Sequence, residues 1–302
     1  MRSLRVKVPA SAANLGPGFD SLALALDLHN ELVIEVMDAN LELQAEGEGE
    51  GRLPTDASNR IARAAYRFFR TVGIPPPGMR IRSINHIPLG AGLGSSAAAI
   101  VAGLVAADAI AETKMNREQL LEIAWEMEGH ADNVAAAIFG GLIIVGQSSG
   151  SLLTAQIPIA PMRFAIVTPE IELPTTGMRD TLPRNVTLHD AALNLGRMGL
   201  MVEALRHGDF DLLSHAAEDR LHEPYRTPLI PGYSEARSAG LEAGAAAVTL
   251  AGAGPGLIAF APDRHEAIAE AMAIAFRSHD LPVRKFVLDP ESQGARLLNT
   301  TH

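Results

Sequence analysis

Three glycines, Gly90, Gly92 and Gly94, stand directly in front of Ser95 and Ser96 in "HIPLGAGLGSSAAAIVAG" (86–103), and the serines open an alanine-rich apolar run. Glycine at alternate positions removes Cβ atoms from a turn, so backbone N–H groups can approach a ligand closely. A helix starting at the serines adds the partial positive charge of its N-terminus, and phosphate is the ligand this arrangement suits. The alternative is a solvated strand-to-helix turn with Ser95 as its N-cap. The loop lacks the lysine of GxxxxGK[ST] and the spacing of GxGxxG, so neither common nucleotide motif accounts for it.

A second cluster, "MEGHADNV" (127–134), gathers Glu128, His130, Asp132 and Asn133. Glu128 and Asp132 are four residues apart and would share one face of an unbroken helix, where two carboxylates repel unless a cation lies between them. A solvated acidic face is the alternative. Two further glycine-rich runs, "PASAANLGPGFDSLALAL" (9–26) and "TLAGAGPGLIAF" (249–260), lie near the two ends of the chain. Three such loops at strand ends can converge on one cleft. Gly252 and Gly254 are expected to contribute backbone contacts only.

The elements that must position these groups alternate in character. "LRVKVPA" (4–10), "ELVIEVMD" (31–38) and "MRIRSINHIPLG" (79–90) read as strands punctuated by glycine and proline. "ASNRIARAAYRFFRTVG" (57–73) reads as a helix with Ser58 or Asn59 as its N-cap and Gly73 at its end. Two helices follow, over 96–114 and 116–141, the second broken or bent near Gly129. Trp125 falls on the apolar stripe of that second helix and belongs to the core. A polar turn in "GLIIVGQSSGSLLTAQIPIA" (141–160) suggests a boundary near residue 150, dividing the chain into 1–150 and 151–302. Beyond it come helices around 187–218 and 264–278 and strands at "AAAVTL", "GLIAFA" and "VRKFVL". The pattern is that of an α+β or α/β protein of two lobes.

Composition bounds the function. The chain has 302 residues, 47% of them hydrophobic, enough for a large core. With 35 acidic and 25 basic residues the net charge is −10, and no basic surface for nucleic acid is indicated. An anionic ligand must therefore be caught locally. There is no cysteine, so disulfides and thiolate metal sites are excluded, in keeping with a reducing cytosol. None of the ten histidines forms HxxxH or HExxH, so any metal is expected to be oxygen-bound. Pro9, Gly16 and Pro17 interrupt the first segment before a signal-peptide core, and no run reaches the roughly 18 apolar residues of a membrane span.

In this order, "PASAANLGPGFD", "IPLGAGLGSSAA", "EGHADNVAAAIFGG" and "AGAGPG" resemble the motifs of the GHMP small-molecule kinases. "SAANLGPGFD", "EGHADNV" and the pairing of "TTGMRDTLP" with "HEPYRTPLIPGY" are similar to the homoserine kinase family among them, from Pro9 to about residue 260. The resemblance implies a two-domain α+β GHMP kinase fold: an N-terminal domain like ribosomal protein S5 domain 2, a ferredoxin-like C-terminal domain, and an active site between them. It implies ATP and Mg²⁺, L-homoserine as phosphoryl acceptor and a homodimer, while the composition points to a cytoplasmic protein with no nucleic-acid or membrane partner.

By the same resemblance Pro88, Leu89, Gly90, Ala91, Gly92, Leu93, Gly94, Ser95 and Ser96 wrap the ATP phosphates, and Ser96 and Glu128 hold Mg²⁺. Asn59 either touches the adenine or only caps its helix. Glu128, Asn133 and Arg179 form the catalytic group. Asn133 stands where many superfamily members have an aspartate base; a neutral amide cannot take a proton, so it would orient the acceptor hydroxyl. Arg179 and Arg226 offer planar forks to a carboxylate, with Thr175 matching the motif threonine, while Asp20 with Asn14 takes the amino group. His130 caps, lines the pocket or packs. Ala251, Gly256, Ala131 and Ala136 depart from the family pattern, and the first two weaken any hydroxyl role for the third glycine run. A kinase for mevalonate, a sugar or shikimate is disfavoured, since those acceptors lack the ammonium that Asp20 would bind. A non-catalytic ligand sensor of the same fold would tolerate loss of the phosphate loop or Glu128, and both are intact.

Overall fold

The first strand of the computed structural model, β1 (Ser3–Asn14), runs antiparallel to β2 (Gly18–Met37), and the turn joining them is the N-terminal glycine run. The structure describes residues 3–171 and 175–298. Along β1 burial alternates at first and becomes continuous from Val8 to Asn14, as expected of a strand covered on both faces at that end. β3 (Leu41–Gly47) pairs in parallel with β4 (Gly78–Asn85), with α1 (Arg60–Val72) between them in sequence. Asn59 caps α1 through the Ile61 N–H, and Gly73 ends it in the left-handed conformation, matching the signals in the sequence.

α2 (Ser95–Ala111) carries Asp108 as its one charged residue and is apolar all round, which fits its central, largely buried position. α3 (Arg117–Glu128), α4 (Asp132–Phe139) and the hairpin of β5 (Leu142–Ser148) and β6 (Ser151–Ile157) follow. The break expected near Gly129 is present, and Glu128 and Asp132 therefore do not share one helix face. Gly129, with φ +84°, ends α3 and donates its N–H to the Trp125 carbonyl, so the two carboxylates lie on different helices.

The second part comprises β7 (Phe164–Pro169), α5 (Thr175–Asp180), α6 (Leu188–His207), α7 (Phe210–Ala216), α8 (Glu223–Arg226), α9 (Tyr233–Glu242), β8 (Ala247–Leu250), β9 (Leu257–Phe260), α10 (His265–Arg277) and β10 (Val283–Leu288). Its four strands pair antiparallel in the order β10-β7-β9-β8, the ferredoxin-like arrangement. β11 (Arg296–Leu298) then returns to pair with β1. Among the described residues the first sheet has seven strands, ordered β11-β1-β2-β4-β3 with β5 on β2 and β6 on β5. Residue 150 is the turn glycine of the β5–β6 hairpin, and both hairpin strands belong to the first sheet. The chain passes to the second sheet between Ile157 and Phe164. One cluster of buried side chains, including Val8, Leu24, Phe68 and Leu104, continues onto one face of the second sheet through Ile166, Ile258 and Phe260, while the alternate residues Val167 and Leu257 pack on the other face with Met272 and Phe276. Among the described residues no helix is long and apolar enough to cross a membrane.

Candidate active site

The turn before α2 is built from all three glycine runs. Gly94, not Ser95, occupies the N-cap position, in a left-handed conformation, and no side chain caps the helix. Its first N–H groups are therefore open to an anion. A Cβ on Gly94 would overlap Ser11 Oγ, and one on Gly92 would overlap the Ala251 carbonyl oxygen. The Ser11 N–H donates to the Leu93 carbonyl at 3.1 Å. The first and third runs thus buttress the second from either side. Asn14 ties them together: its Nδ2 donates to the Gly252 carbonyl at 2.7 Å and its Oδ1 accepts from the Asp20 N–H at 3.0 Å.

Beside this turn, Ser96 Oγ donates to Glu128 Oε2 at 2.6 Å, and the Glu128 side chain is 17% exposed. A hydroxyl and a carboxylate supply the hard oxygen donors that Mg²⁺ prefers, so the pair fits such an ion. Asn133 Oδ1 accepts from Ser11 Oγ at 2.8 Å, placing the amide against the phosphate turn. The preceding Asp132 is buried, and burial first, with the nearby Asp20 carboxylate adding, pushes its carboxyl up to about 7.

Two arginines approach from the second part of the chain. Arg179, on α5, donates to both carboxylate oxygens of Asp20 at 2.8 and 2.7 Å, the side chains being 38% and 40% exposed. Arg226, at the end of α8, is only 3% exposed. Both guanidinium groups lie over the Phe19 ring, at 5.6 Å for Arg179 and 5.4 Å for Arg226. His130 is half-buried among these charges. Its pKa is lowered by burial first and then by Arg179, with Asp20 and Glu128 opposing.

Patterns for the GHMP kinases N terminal domain and the GHMP kinases C terminal region match residues 59–141 and 201–278. A homoserine kinase of Moorella thermoacetica is 42% identical over 291 residues, covering 96% of this chain and 98% of its own. One from Synechococcus sp. (strain RCC307) is 39% identical, covering 96% and 95%. The chain belongs to the homoserine kinase family of the GHMP kinases. The crystal structure of homoserine kinase from Cytophaga hutchinsonii superposes with a TM-score of 0.89 at 32% identity, covering 99% of this chain and 98% of that one. The protein is thus an ATP-dependent small-molecule kinase with the two-part α+β fold of its family.

Within this kinase fold, Asp20, Glu128, Arg179 and Arg226 lie close enough to His130 to act on its charge, while Ser96 bonds Glu128 and Ser11 bonds Asn133 beside the phosphate turn. Asn59 caps α1, its Oδ1 accepting from the Ile61 N–H at 2.9 Å, and its Nδ2 donates to the Pro54 carbonyl at 2.8 Å, so both ends of the amide have protein partners. Asn14 is likewise committed to backbone partners. Thr175 begins α5, and its side chain lies outside the described residues. Three participants are absent from the residue-by-residue reading: Ser11, Phe19 and His222. Each stands inside a quoted motif, but a serine, a phenylalanine and a histidine with a nearby proline carry no distinctive spacing of their own.

Proposed function

We propose that this kinase transfers the γ-phosphoryl group of ATP to the hydroxyl of L-homoserine, giving O-phospho-L-homoserine and ADP in the threonine branch of amino-acid synthesis. The observation that carries the reading is the pairing of opposite charges, Asp20 with Arg179 and Arg226, beside an uncapped helix N-terminus. A zwitterion with a side-chain hydroxyl is complementary to that arrangement. The exposed Asp20–Arg179 pair is worth about 1 kcal/mol at most, so its members can exchange partners with a substrate ammonium and carboxylate at small cost.

The N–H groups from Gly90 to Ser96 neutralise phosphate oxygens and hold the donor, and the α2 dipole adds to this. Ser96 and Glu128 would hold Mg²⁺, which when bound offsets negative charge on the phosphates. Asn133, fixed by Ser11, orients the acceptor oxygen toward the γ-phosphorus. The new oxygen–phosphorus bond forms as the bond to ADP breaks, and the hydroxyl proton leaves to a phosphate oxygen or solvent. Positioning supplies much of the rate under this scheme. The use of ATP fits a cytoplasmic enzyme. A homodimer belongs to the same reading; Leu188 and Leu195, seven residues apart on α6, are exposed and offer an apolar contact that sedimentation can test.

The deciding assay is coupled ADP release with Mg²⁺-ATP, comparing L-homoserine with L-serine, L-threonine, mevalonate, galactose and shikimate. Turnover is expected mainly with L-homoserine. Preferred turnover of another acceptor would overturn the zwitterion reading, and ATP binding without turnover of any would favour a ligand sensor.

A further inference from the structure

Arg226 is held by a histidine that the phosphoryl-transfer scheme does not use. His222 precedes α8 and is fully buried, one helical turn before Arg226. Its Nε2 lies 2.9 Å from the Gly16 carbonyl oxygen, which can only accept, so Nε2 carries a proton. Its Nδ1 lies 3.1 Å from a terminal nitrogen of Arg226, which can only donate, so Nδ1 carries none. Both neighbours demand the same neutral tautomer. The imidazole also stacks on Phe19, with centroids 5.3 Å apart and planes inclined by 23°.

We propose that His222 is a positioning residue for the transfer: with its Nε2–H fixed on Gly16, it presents Nδ1 to Arg226 and sets where that guanidinium points. The assignment rests on reading Arg226 as a ligand of the substrate carboxylate. Arg226 Nε reaches the Met178 carbonyl at 3.4 Å, and one terminal nitrogen is taken by His222. Among the described residues the other terminal nitrogen makes no hydrogen bond, which leaves it for a carboxylate. Two anchored donors and the Phe19 ring then fix the plane of the fork. Because Arg226 is buried, water cannot readily replace the His222 acceptor.

The surroundings of the ring agree with this role. The charged groups facing it are Asp219, Arg226 and Asp20, and burial is the largest influence, lowering the imidazole pKa. Asp219 Oδ2 lies 3.8 Å from Nε2, beyond hydrogen-bond range. That carboxylate is already engaged by the N–H groups of Leu221, His222 and Glu223 and by the Asn194 amide. Asn194 also donates to the Pro17 carbonyl at 3.1 Å. The network therefore joins the start of α8 to the N-terminal glycine turn, and His222 passes that register on to Arg226.

Two experiments on the full chain test the assignment. In ¹⁵N spectra of the wild-type enzyme, His222 is expected to stay a neutral Nε2–H imidazole from about pH 5.5 to 8; an Nδ1–H tautomer, or titration to imidazolium within that window, overturns the proposal. His222→Gln can place an amide nitrogen near the Nε2 position, keeping the Gly16 bond and losing the acceptor for Arg226. His222→Asn can place an amide oxygen near Nδ1, keeping the acceptor. The KM for L-homoserine is expected to rise about tenfold in the glutamine variant and less than about threefold in the asparagine variant. The KM for ATP should move less than about twofold in both. Equal KM changes in the two variants, or parallel rises for both substrates, overturn it. If neither variant folds, the wild-type ring nitrogens decide alone. Wild-type enzyme with the expected tautomer but no turnover of L-homoserine would refute the substrate reading and leave the His222–Arg226 geometry standing.

Discussion

Glu128 and Ser96 come from two helices and meet at 2.6 Å, with Arg60 the only cation paired to Glu128 among the described residues, at 3.4 Å from an exposed side chain. An exposed guanidinium at that distance offsets little of the carboxylate's charge, so a divalent ion between phosphate and carboxylate gains from it. Glu128→Gln keeps the size and removes the charge. Turnover is expected to fall about a hundredfold, with a higher Mg²⁺ concentration needed for half-maximal rate. A Mg²⁺ titration of activity is the check, and an unchanged curve would remove Glu128 as a ligand. Glu128, Asn133, Asp20, Arg179 and Arg226 were legible in the sequence because their types carry charge or an amide within recognisable motifs. Ser11 was not, because its role is made by Asn133, 122 residues away. His222 was hidden for a similar reason: its tautomer is set by Gly16, 206 residues away.

At the scale of elements, the phosphate turn depends on loops that pack backbone against backbone. Gly92 has φ +77° and faces the Ala251 carbonyl, whereas Gly90, with φ +67°, has no atom within 4 Å of where a Cβ would stand. The two positions therefore separate backbone strain from collision. Gly90→Ala is expected to cost about 1 kcal/mol of stability from the left-handed backbone alone. Gly92→Ala adds the clash with Ala251, for roughly 2–4 kcal/mol in total, and displaces the turn so that the KM for ATP rises. Denaturant unfolding of both variants, read beside their ATP kinetics, is the measurement; equal losses would mean that the third glycine run does not support the turn. The helices were legible where caps and periodicity agreed, as in α1, between Asn59 and Gly73. Expected helices around 187–218 resolve into α6 and α7 because Gly208 turns left-handed between them. Three-residue β11 left no signal at all, since what makes it a strand is β1 at the opposite end of the chain.

Across the whole molecule, two buried carboxyls, one in each part of the chain, tie stability to pH. Asp132, in α4, is pushed up to about 7 and Glu223, in α8, to about 8, burial being the main cause in each. Glu223 accepts the Leu250 N–H at 2.7 Å and so links α8 to β8. In the unfolded chain such groups ionise near pH 4 to 4.5. Both native values are raised, so the folded state holds protons that the unfolded state has released. Their stabilisation is complete below the unfolded values and is lost as pH rises toward the folded ones. Glu223→Gln retains an oxygen for the Leu250 N–H and cannot ionise. Between about pH 5 and 8 wild-type stability should therefore fall relative to this variant by on the order of 1 kcal/mol per pH unit, and the gap should level off above about pH 8. Chemical unfolding of both proteins across that range reads the difference directly. Parallel curves would mean that Glu223 is ionised in the folded protein, with Arg237 outweighing the burial that now holds its proton.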